Sequence, residues 1–229
     1  YLAAIADAVP REGPIRMLDF GCGAGTFTSR FLTMADWPTE RLQLTLVEPV
    51  ESARREAAGS LGRFSVVPIV DAPSLAPNEL ANRFDIVIAN HVLYYVSDLR
   101  QQLAQLSESL TPKGIFVTAI AGRSNALIEF WTTAFGILGR EIPHYTSEDV
   151  AFALQSLGVH LEKREVPYDL SFPDTEKTRL HIIRFLLADY LPQLPLQPLL
   201  EQFDRYQRAG QIEIRTSSDH YTIRKNAMD

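Results

Sequence analysis

Residues 18–28 read LDFGCGAGTFT and place three alternating glycines between two apolar segments. The short apolar run before them, residues 15–18, predicts a buried strand, and residues 27–34 have the spacing of an amphipathic helix. Glycine adopts positive φ and has no Cβ, so a ligand can lie against bare backbone at the helix N-terminus. A tight turn without a ligand is the alternative, but such a turn rarely needs three glycines. The stretch therefore predicts a nucleotide-type ligand.

Two carboxylates near this turn indicate which ligand it binds. Glu48 ends the next apolar strand candidate, residues 42–47, where a carboxylate can accept both hydroxyls of a ribose. A pyrophosphate-binding turn favours its third glycine one position later, where Thr26 stands, so a dinucleotide fits less well. Asp19 would repel a phosphate, but it suits a ligand that carries a cationic amine and a sulfonium. These residues favour an adenosyl ligand with a cationic side chain.

Five motifs resemble, in order and spacing, those of the class I S-adenosylmethionine-dependent methyltransferases. They are LDFGCGAG at 18–25, VEP at 47–49, VDA at 70–72, FDIVIAN at 84–90 and LTPKGIF at 110–116. The resemblance covers about residues 15–120. It implies S-adenosylmethionine as cofactor, with S-adenosylhomocysteine as its product.

The resemblance also implies a role for individual residues. Asp19 and the glycine turn would hold the methionine part, Glu48 the ribose, and Asp71 with Ala72 the adenine edge. Asn90 would lie at the methionine side of the site. The complete set of implied cofactor-binding residues is Asp19, Gly21, Cys22, Gly23, Gly25, Glu48, Pro49, Asp71, Ala72, Asn90 and His91.

A second resemblance, to histamine N-methyltransferases, begins at the string HVLYYVSD of residues 91–98. Residues 130–131, 146–149 and 210–225 follow the same layout. The chain departs from that pattern after Glu48, where the cofactor-binding glutamine is absent, and the substrate-binding asparagine has no counterpart. The resemblance thus implies a small-molecule acceptor, an amine before others, rather than histamine itself.

The candidates for chemistry and acceptor binding are few, because methyl transfer is an in-line displacement that depends mainly on positioning. His91 follows the fourth strand, where it could accept a proton, or it could only pack beneath the cofactor. Tyr94 and Tyr95 follow it and could wall the acceptor pocket or belong to the core. We predict His91 and Tyr94 as catalytic residues. We predict as acceptor-binding residues Tyr94, Tyr95, Trp131 and His144.

Composition agrees with an enzyme of small molecules. The 229 residues carry a net charge of −6 and no basic run, which argues against a nucleic-acid partner. The pair Arg54 and Arg55 is expected on a solvated face. The single cysteine is typical of a reducing compartment, so we expect a cytoplasmic protein. No apolar stretch reaches about 18 residues, so we expect no membrane partner. We expect a monomer or a dimer. The histidines lack metal-ligand spacing, so no metal is expected. The chain begins at Tyr1 without a methionine, so we expect residues before it.

Strands and helices alternate until about residue 120, which predicts a parallel sheet covered on both faces. We expect a single Rossmann-like α/β domain over residues 1–229, with a seven-stranded, mostly parallel sheet whose last strand is antiparallel. Residues 1–122 would form the cofactor-binding half and 123–229 the substrate-side half. Residues 174–209 exceed the length of an ordinary strand connection, so we expect a helical lid there. The predicted strands lie near 15–19, 43–47, 64–69, 84–88, 114–120, 159–169 and 211–224, and the first four helices near 26–35, 50–58, 76–82 and 98–109.

Three functions remain open from the sequence. The first is methylation of a small molecule, at an amine nitrogen or else at oxygen or carbon. The second is methylation of a macromolecule, which the acidic charge and the absence of Asn-Pro-Pro-Tyr at residues 89–92 disfavour. The third is a non-catalytic module that binds S-adenosylmethionine.

Overall fold

The computed structural model of the chain describes residues 2–7, 9, 12–75 and 81–225. The strands are β1 Ile15–Phe20, β2 Leu42–Val47, β3 Val70–Ala72, β4 Phe84–Asn90, β5 Leu110–Ile120, β6 His160–Pro173, β7 Gln207–Arg208 and β8 Gln211–Arg224. The α-helices are α1 Leu2–Ala6, α2 Thr26–Ala35, α3 Glu51–Leu61, α4 Leu99–Glu108, α5 Ala126–Leu138, α6 Ser147–Ser156, α7 Glu176–Leu187 and α8 Leu196–Glu201.

The strands form one sheet in the order β3-β2-β1-β4-β5-β8-β6, and the two-residue β7 pairs with β8. The pairs β1–β2, β2–β3, β1–β4 and β4–β5 are parallel. The predicted fold class is confirmed: a Rossmann-like, mostly parallel sheet with an antiparallel edge and flanking helices. Chain order reverses between β1 and β4, and ligands of such sheets bind at this switch point, beyond the carboxyl ends of the strands.

Burial explains why the central strands read as continuous apolar runs. In β4 every residue from Phe84 to Ala89 is buried, as expected for a parallel strand covered on both faces. Ile86, Ile88 and residues of β1 and β2 share a core with Phe31 of α2 and Leu61 of α3. This packing fixes the strand ends that carry the candidate site.

The third strand lies later than predicted. Residues 62–64 form a 3₁₀ turn, and β3 begins at Val70 rather than near residue 64. The Ser65 hydroxyl donates to the Leu42 carbonyl at 2.7 Å, and Pro68 has no N–H to donate to a ladder. These local features keep residues 65–69 out of the sheet despite their apolar side chains. The helix predicted near 76–82 falls mainly on residues outside the described ranges.

The chain divides into two compact units. The first comprises the described residues up to Ile120, together with Asp149–Arg164 and those from His220 onward. The second comprises Ala121–Glu148 and Glu165–Asp219. The prediction of one domain in two halves, cut near residue 122, stays a prediction.

The second unit contains α5, α7 and α8, so the insertion at 174–209 is helical as predicted. Phe130 of α5 packs on Phe203 with ring centroids 4.6 Å apart. The role of this segment as a lid stays a prediction. In the described part of the chain, no helix has both the length and the apolar character needed to cross a membrane.

Candidate active site

The glycine turn has the backbone geometry that its sequence predicts. Gly21, Gly23 and Gly25 have φ of 72°, 52° and 79°, values that side chains with a Cβ rarely adopt. The Gly21 amide donates to the carbonyl of Val47 at 2.7 Å, which ties the turn to the end of β2. Gly25 precedes α2 and no side chain caps this helix, so its first amides face the turn as potential donors to a ligand.

Glu48 lies directly opposite this turn. One carboxylate oxygen accepts from the Gly23 amide at 3.0 Å, and the other accepts from the Val50 amide at 2.9 Å. A carboxylate offers about four acceptor positions, so two remain for hydroxyl donors. Glu48 is therefore held in one orientation and can still accept two further hydrogen bonds, as a ribose-binding carboxylate requires.

Asp19 is buried at the end of β1, with 3% of its surface exposed. It accepts a hydrogen bond from the hydroxyl of Thr28 in the first turn of α2. Burial raises the pKa of Asp19 to about 7; the Thr28 bond opposes this rise and the Glu48 charge adds to it. A buried carboxylate with one neutral partner suits a cationic ligand. Thr28 is not among the residues predicted from the sequence, although its place in the first turn after the glycines was a signal.

A cleft of about 380 Å³ lies at the carboxyl ends of the first strands. Its walls are mainly apolar and include Val47, Pro49, Pro73, Val92, Tyr95 and Gln102. It lies beside Glu48, because Val47 and Pro49 flank that residue in the chain. An apolar cleft next to a ribose-type carboxylate fits an adenine ring. The sequence did not predict a place in the site for three of these residues, Pro73, Val92 and Gln102, because only the fold brings them together.

Asp71 and Ala72 occupy β3, next to the end of β2. Asp71 pairs with Arg54 of α3, whose Nε donates to the carboxylate at 2.9 Å. The side chain of Arg54 is only 12% exposed, so the expectation of a solvated face is wrong for this arginine. It holds for Arg55, whose side chain is 78% exposed. The two arginines differ because Arg54 pairs with a carboxylate on strand β3, whereas Arg55 pairs with Glu51 on its own helix.

At the end of β4 the structure brings Asn90 and His91 to the same edge. His91 has φ of 54°, an uncommon conformation for a residue with a side chain and one that often marks a functional site. Its Nδ1 lies 2.9 Å from the Tyr94 hydroxyl, and the two rings stack. Although the residue as a whole is exposed, desolvation of the ring, with a smaller effect of the nearby His220, lowers the pKa of His91 to about 4. The imidazole is therefore neutral at pH 7.

The two predicted pocket tyrosines differ in environment. Tyr94 is buried and 7% exposed, whereas Tyr95 is 60% exposed and lines the cleft described above. The other two predicted acceptor-binding residues, Trp131 and His144, belong to the second unit, where their rings lie 4.6 Å apart. The Trp131 indole N–H donates to the Leu186 carbonyl at 2.8 Å. Their contact with an acceptor stays a prediction.

Cys22 is the free cysteine of the glycine turn. Burial and the charges of Asp19 and Glu48 raise the pKa of its thiol to about 12, so it is not a nucleophile at neutral pH. Among the described residues, no three His, Cys, Asp or Glu side chains are grouped as a metal site would require.

Comparison with known proteins agrees with this geometry. Residues 18–116 match a family described as a methyltransferase domain. The chain is 31% identical over 130 residues to a ubiquinone biosynthesis O-methyltransferase of Rhodopseudomonas palustris, a match covering 56% of this chain and 46% of that protein. It is 27% identical over 173 residues to a malonyl-[acyl-carrier protein] O-methyltransferase of Chlorobium luteolum, covering 74% and 62%. The chain thus spans about half the length of the first of these curated relatives.

The fold has close counterparts among solved structures. The YcgJ protein of Bacillus subtilis superposes with a TM-score of 0.64 over 98% of both chains, at 14% sequence identity. This likeness concerns the fold alone. None of the three proteins is a histamine N-methyltransferase, so that resemblance is not supported here. Residues 18–116, which carry the glycine turn and its two carboxylates, thus resemble a methyltransferase domain, and the strand order agrees with the fold expected from that resemblance.

Proposed function

We propose that this chain transfers a methyl group from S-adenosylmethionine to a hydroxyl oxygen of a small molecule. The observation that carries the cofactor assignment is the pairing of two differently placed carboxylates around one glycine turn. Asp19 is buried and suits the cationic methionine end, and Glu48 is oriented by Gly23 and suits the ribose. The apolar cleft of about 380 Å³ suits the adenine ring. When bound, the cofactor supplies an electrophilic methyl group on a sulfonium.

The proposed choice of a hydroxyl rests on the two O-methyltransferase relatives and on the weak basicity of His91. In the tautomer whose Nδ1–H donates to the Tyr94 oxygen, Nε2 is free to accept a proton. With a pKa of about 4, this imidazole is far too weak to deprotonate an alkylammonium with a pKa of about 10. A hydroxyl becomes acidic as its oxygen gains the methyl group, so a weak base suffices for it. The two O-methyltransferase relatives favour the same acceptor class.

Methylation of an amine is the second candidate. Tyr95 favours it, because its ring is 60% exposed at the cleft, 5.6 Å from the ring of Tyr94, and could stack on a cationic acceptor. An amine that enters the site already neutral would need no base. The roles of Asp71 and Ala72 at adenine, of Asn90 at methionine, and of Trp131 and His144 at the acceptor remain predictions.

A panel of hydroxylated compounds and amines, incubated with the chain and methyl-labelled S-adenosylmethionine, tests the proposal. We expect label in at least one phenol, alcohol or carboxylic acid, and its loss in the Glu48→Ala variant. Label in amines alone would favour the second candidate. S-adenosylhomocysteine binding without any transfer would instead favour a non-catalytic binding module.

The Tyr94→Phe variant tests the proposed base. It removes the hydroxyl that orients His91, so we expect kcat to fall about five- to tenfold, the kinetic equivalent of about one neutral hydrogen bond. The affinity for S-adenosylhomocysteine should stay unchanged. Tyr95→Ala tests the predicted acceptor role of Tyr95. We expect it to raise the acceptor KM more than the Kd of S-adenosylhomocysteine, and the reverse result would assign Tyr95 to the adenine cleft that it lines. An unchanged kcat in Tyr94→Phe would refute the proposed base, and an unchanged acceptor KM in Tyr95→Ala would refute the acceptor role of Tyr95.

A further inference from the structure

Helix α3 carries two adjacent arginines in opposite environments. The Arg55 side chain is 78% exposed and pairs with Glu51 one turn earlier. The Arg54 side chain is 12% exposed and reaches away from its own helix to the ends of two strands. An exposed pair such as Arg55–Glu51 contributes little to any structure, whereas a largely buried guanidinium must be fully matched. The position of Arg54 therefore needs its own explanation.

The Arg54 guanidinium joins β3 to the backbone of Glu48. Its Nε donates to Asp71 Oδ1 at 2.9 Å, and its Nη1 donates to the Glu48 carbonyl oxygen at 2.5 Å. The Glu48 amide in turn donates to the Ala72 carbonyl at 3.1 Å. The backbone of Glu48 is thus fixed on both its donor and its acceptor side, while its carboxylate is fixed by Gly23.

The register places Asp71 on the face of the sheet that carries Arg54, where its side chain is 43% exposed. Asp71 is paired with Leu46, and Ala72 with Val47. Since successive strand residues point to opposite faces, Asp71 and Val47 face opposite sides of the sheet. Val47 lines the apolar cleft, so the Asp71 side chain lies on the other side, against α3.

We propose that Arg54, held by Asp71, is a positioning residue that aims the Glu48 carboxylate at the ribose hydroxyls. The inference rests on the proposed cofactor and deepens it. Asp71 would then act through Arg54 and not by contacting the adenine edge. Without the guanidinium, the Glu48 carbonyl loses its Arg54 donor, so the backbone from which the carboxylate projects is less firmly fixed.

The ribose contact can be isolated with two ligands. Calorimetry gives the Kd of S-adenosylhomocysteine and of its 2′-deoxy analogue, and the ratio of the two measures how well Glu48 engages the 2′-hydroxyl. We expect the unchanged chain to prefer the hydroxylated ligand by about tenfold or more, as for a charge-assisted hydrogen bond. Arg54→Ala should lose most of this preference, as Glu48→Gln should. Arg55→Ala, the adjacent matched control, should keep it.

A merely structural role for Arg54 would weaken both ligands equally and leave their ratio unchanged, and that result would overturn the inference. Arg54→Lys, which retains the charge but not the two-pronged geometry, provides a second test if Arg54→Ala unfolds. Asp71→Asn should reduce the preference for S-adenosylhomocysteine over its 2′-deoxy analogue. The double variant Asp71→Asn with Arg54→Ala should show the same preference as Arg54→Ala alone. A direct adenine contact would instead make Asp71→Asn weaken both ligands with the ratio intact. If the unchanged chain bound neither ligand, the proposed function would fail as well.

Discussion

Asp19 shows how burial sets the charge of a single residue in this site. Its carboxylate is almost fully buried, has the Thr28 hydroxyl as a donor, and lies near the charge of Glu48. These surroundings raise its pKa from an ordinary 3.8 to about 7. In the unliganded chain, Asp19 is therefore largely protonated below pH 7, although its proposed role requires a negative charge.

The affinity for S-adenosylhomocysteine should consequently depend on pH. A cationic amino group favours ionised Asp19, so binding below pH 7 must release the proton that the free chain holds. We expect affinity to rise with pH up to about 7, and Kd at pH 6 to be about tenfold weaker than at pH 8. Calorimetry in two buffers of different ionisation enthalpy would detect the released proton.

Glu56→Gln is the control for this measurement, because Glu56 is an exposed carboxylate on α3 outside the site. It should shift neither the pH profile nor the proton release. A Kd independent of pH between 6 and 8 would mean that Asp19 is already ionised in the free chain, or that it does not face the amino group.

The glycine turn is the element that shapes the candidate site, and its glycines are needed for different reasons. A Cβ on Gly21 would lie 2.1 Å from Cγ2 of Val92, which no packing tolerates. A Cβ on Gly23 would meet nothing within 4 Å, so only its positive φ disfavours a side chain there. The space at Gly25 is intermediate, because a Cβ there would lie 3.2 Å from Ala57 of α3.

Gly21→Ala should therefore destabilise the fold more than Gly23→Ala does. We expect Gly21→Ala to cost about 2–4 kcal/mol, as the sum of backbone strain and overpacking. Gly23→Ala should cost about 1–2 kcal/mol from strain alone. Urea denaturation of both variants measures the difference, and equal losses would show that Val92 moves aside without cost.

At the scale of the whole molecule, the two compact units depend on different interactions. The first is built on buried parallel strands. In the second, Arg179 of α7 joins separate segments, because its guanidinium donates to Asp174 at 2.6 Å, to Asp204 at 2.6 Å and to the Leu200 carbonyl at 2.9 Å. The side chains of Arg179 and Asp174 are 13% and 8% exposed, so their bond is largely shielded from water, whereas Asp204 is 59% exposed.

Loss of Arg179 should loosen the second unit selectively. In Arg179→Met, we expect amide hydrogen exchange in residues 174–208 to speed up roughly tenfold or more, while the strands within 15–120 keep their protection. Arg205→Ala, which removes an exposed partner of Glu129 in the same unit, should change exchange far less. Uniform acceleration across the chain would show that the two units unfold as one.

Most strands and helices around the candidate site could be predicted from the sequence, because their patterns involve neighbouring residues. The apolar runs and their spacing predicted β1, β2, β4 and α2 within a residue or two. The position of Glu48 at the end of the second run predicted its contact with a ribose. The third strand was misplaced, since Pro68 and the bonding of Ser65 are local departures within an apolar run. Arg54 was misjudged because two adjacent arginines are indistinguishable without knowing which one meets Asp71.

By itself the sequence determined the α/β alternation, the glycine turn at a strand–helix junction and the acidic residues that flank it, because each is a property of neighbouring residues. Only the tertiary structure decided that Asp19 is desolvated, that Val92 closes over Gly21, and that Arg54 joins Asp71 to the backbone of Glu48. Burial and charge pairing depend on strand register and on contacts between distant segments. The amino-acid order specifies these only through the completed fold.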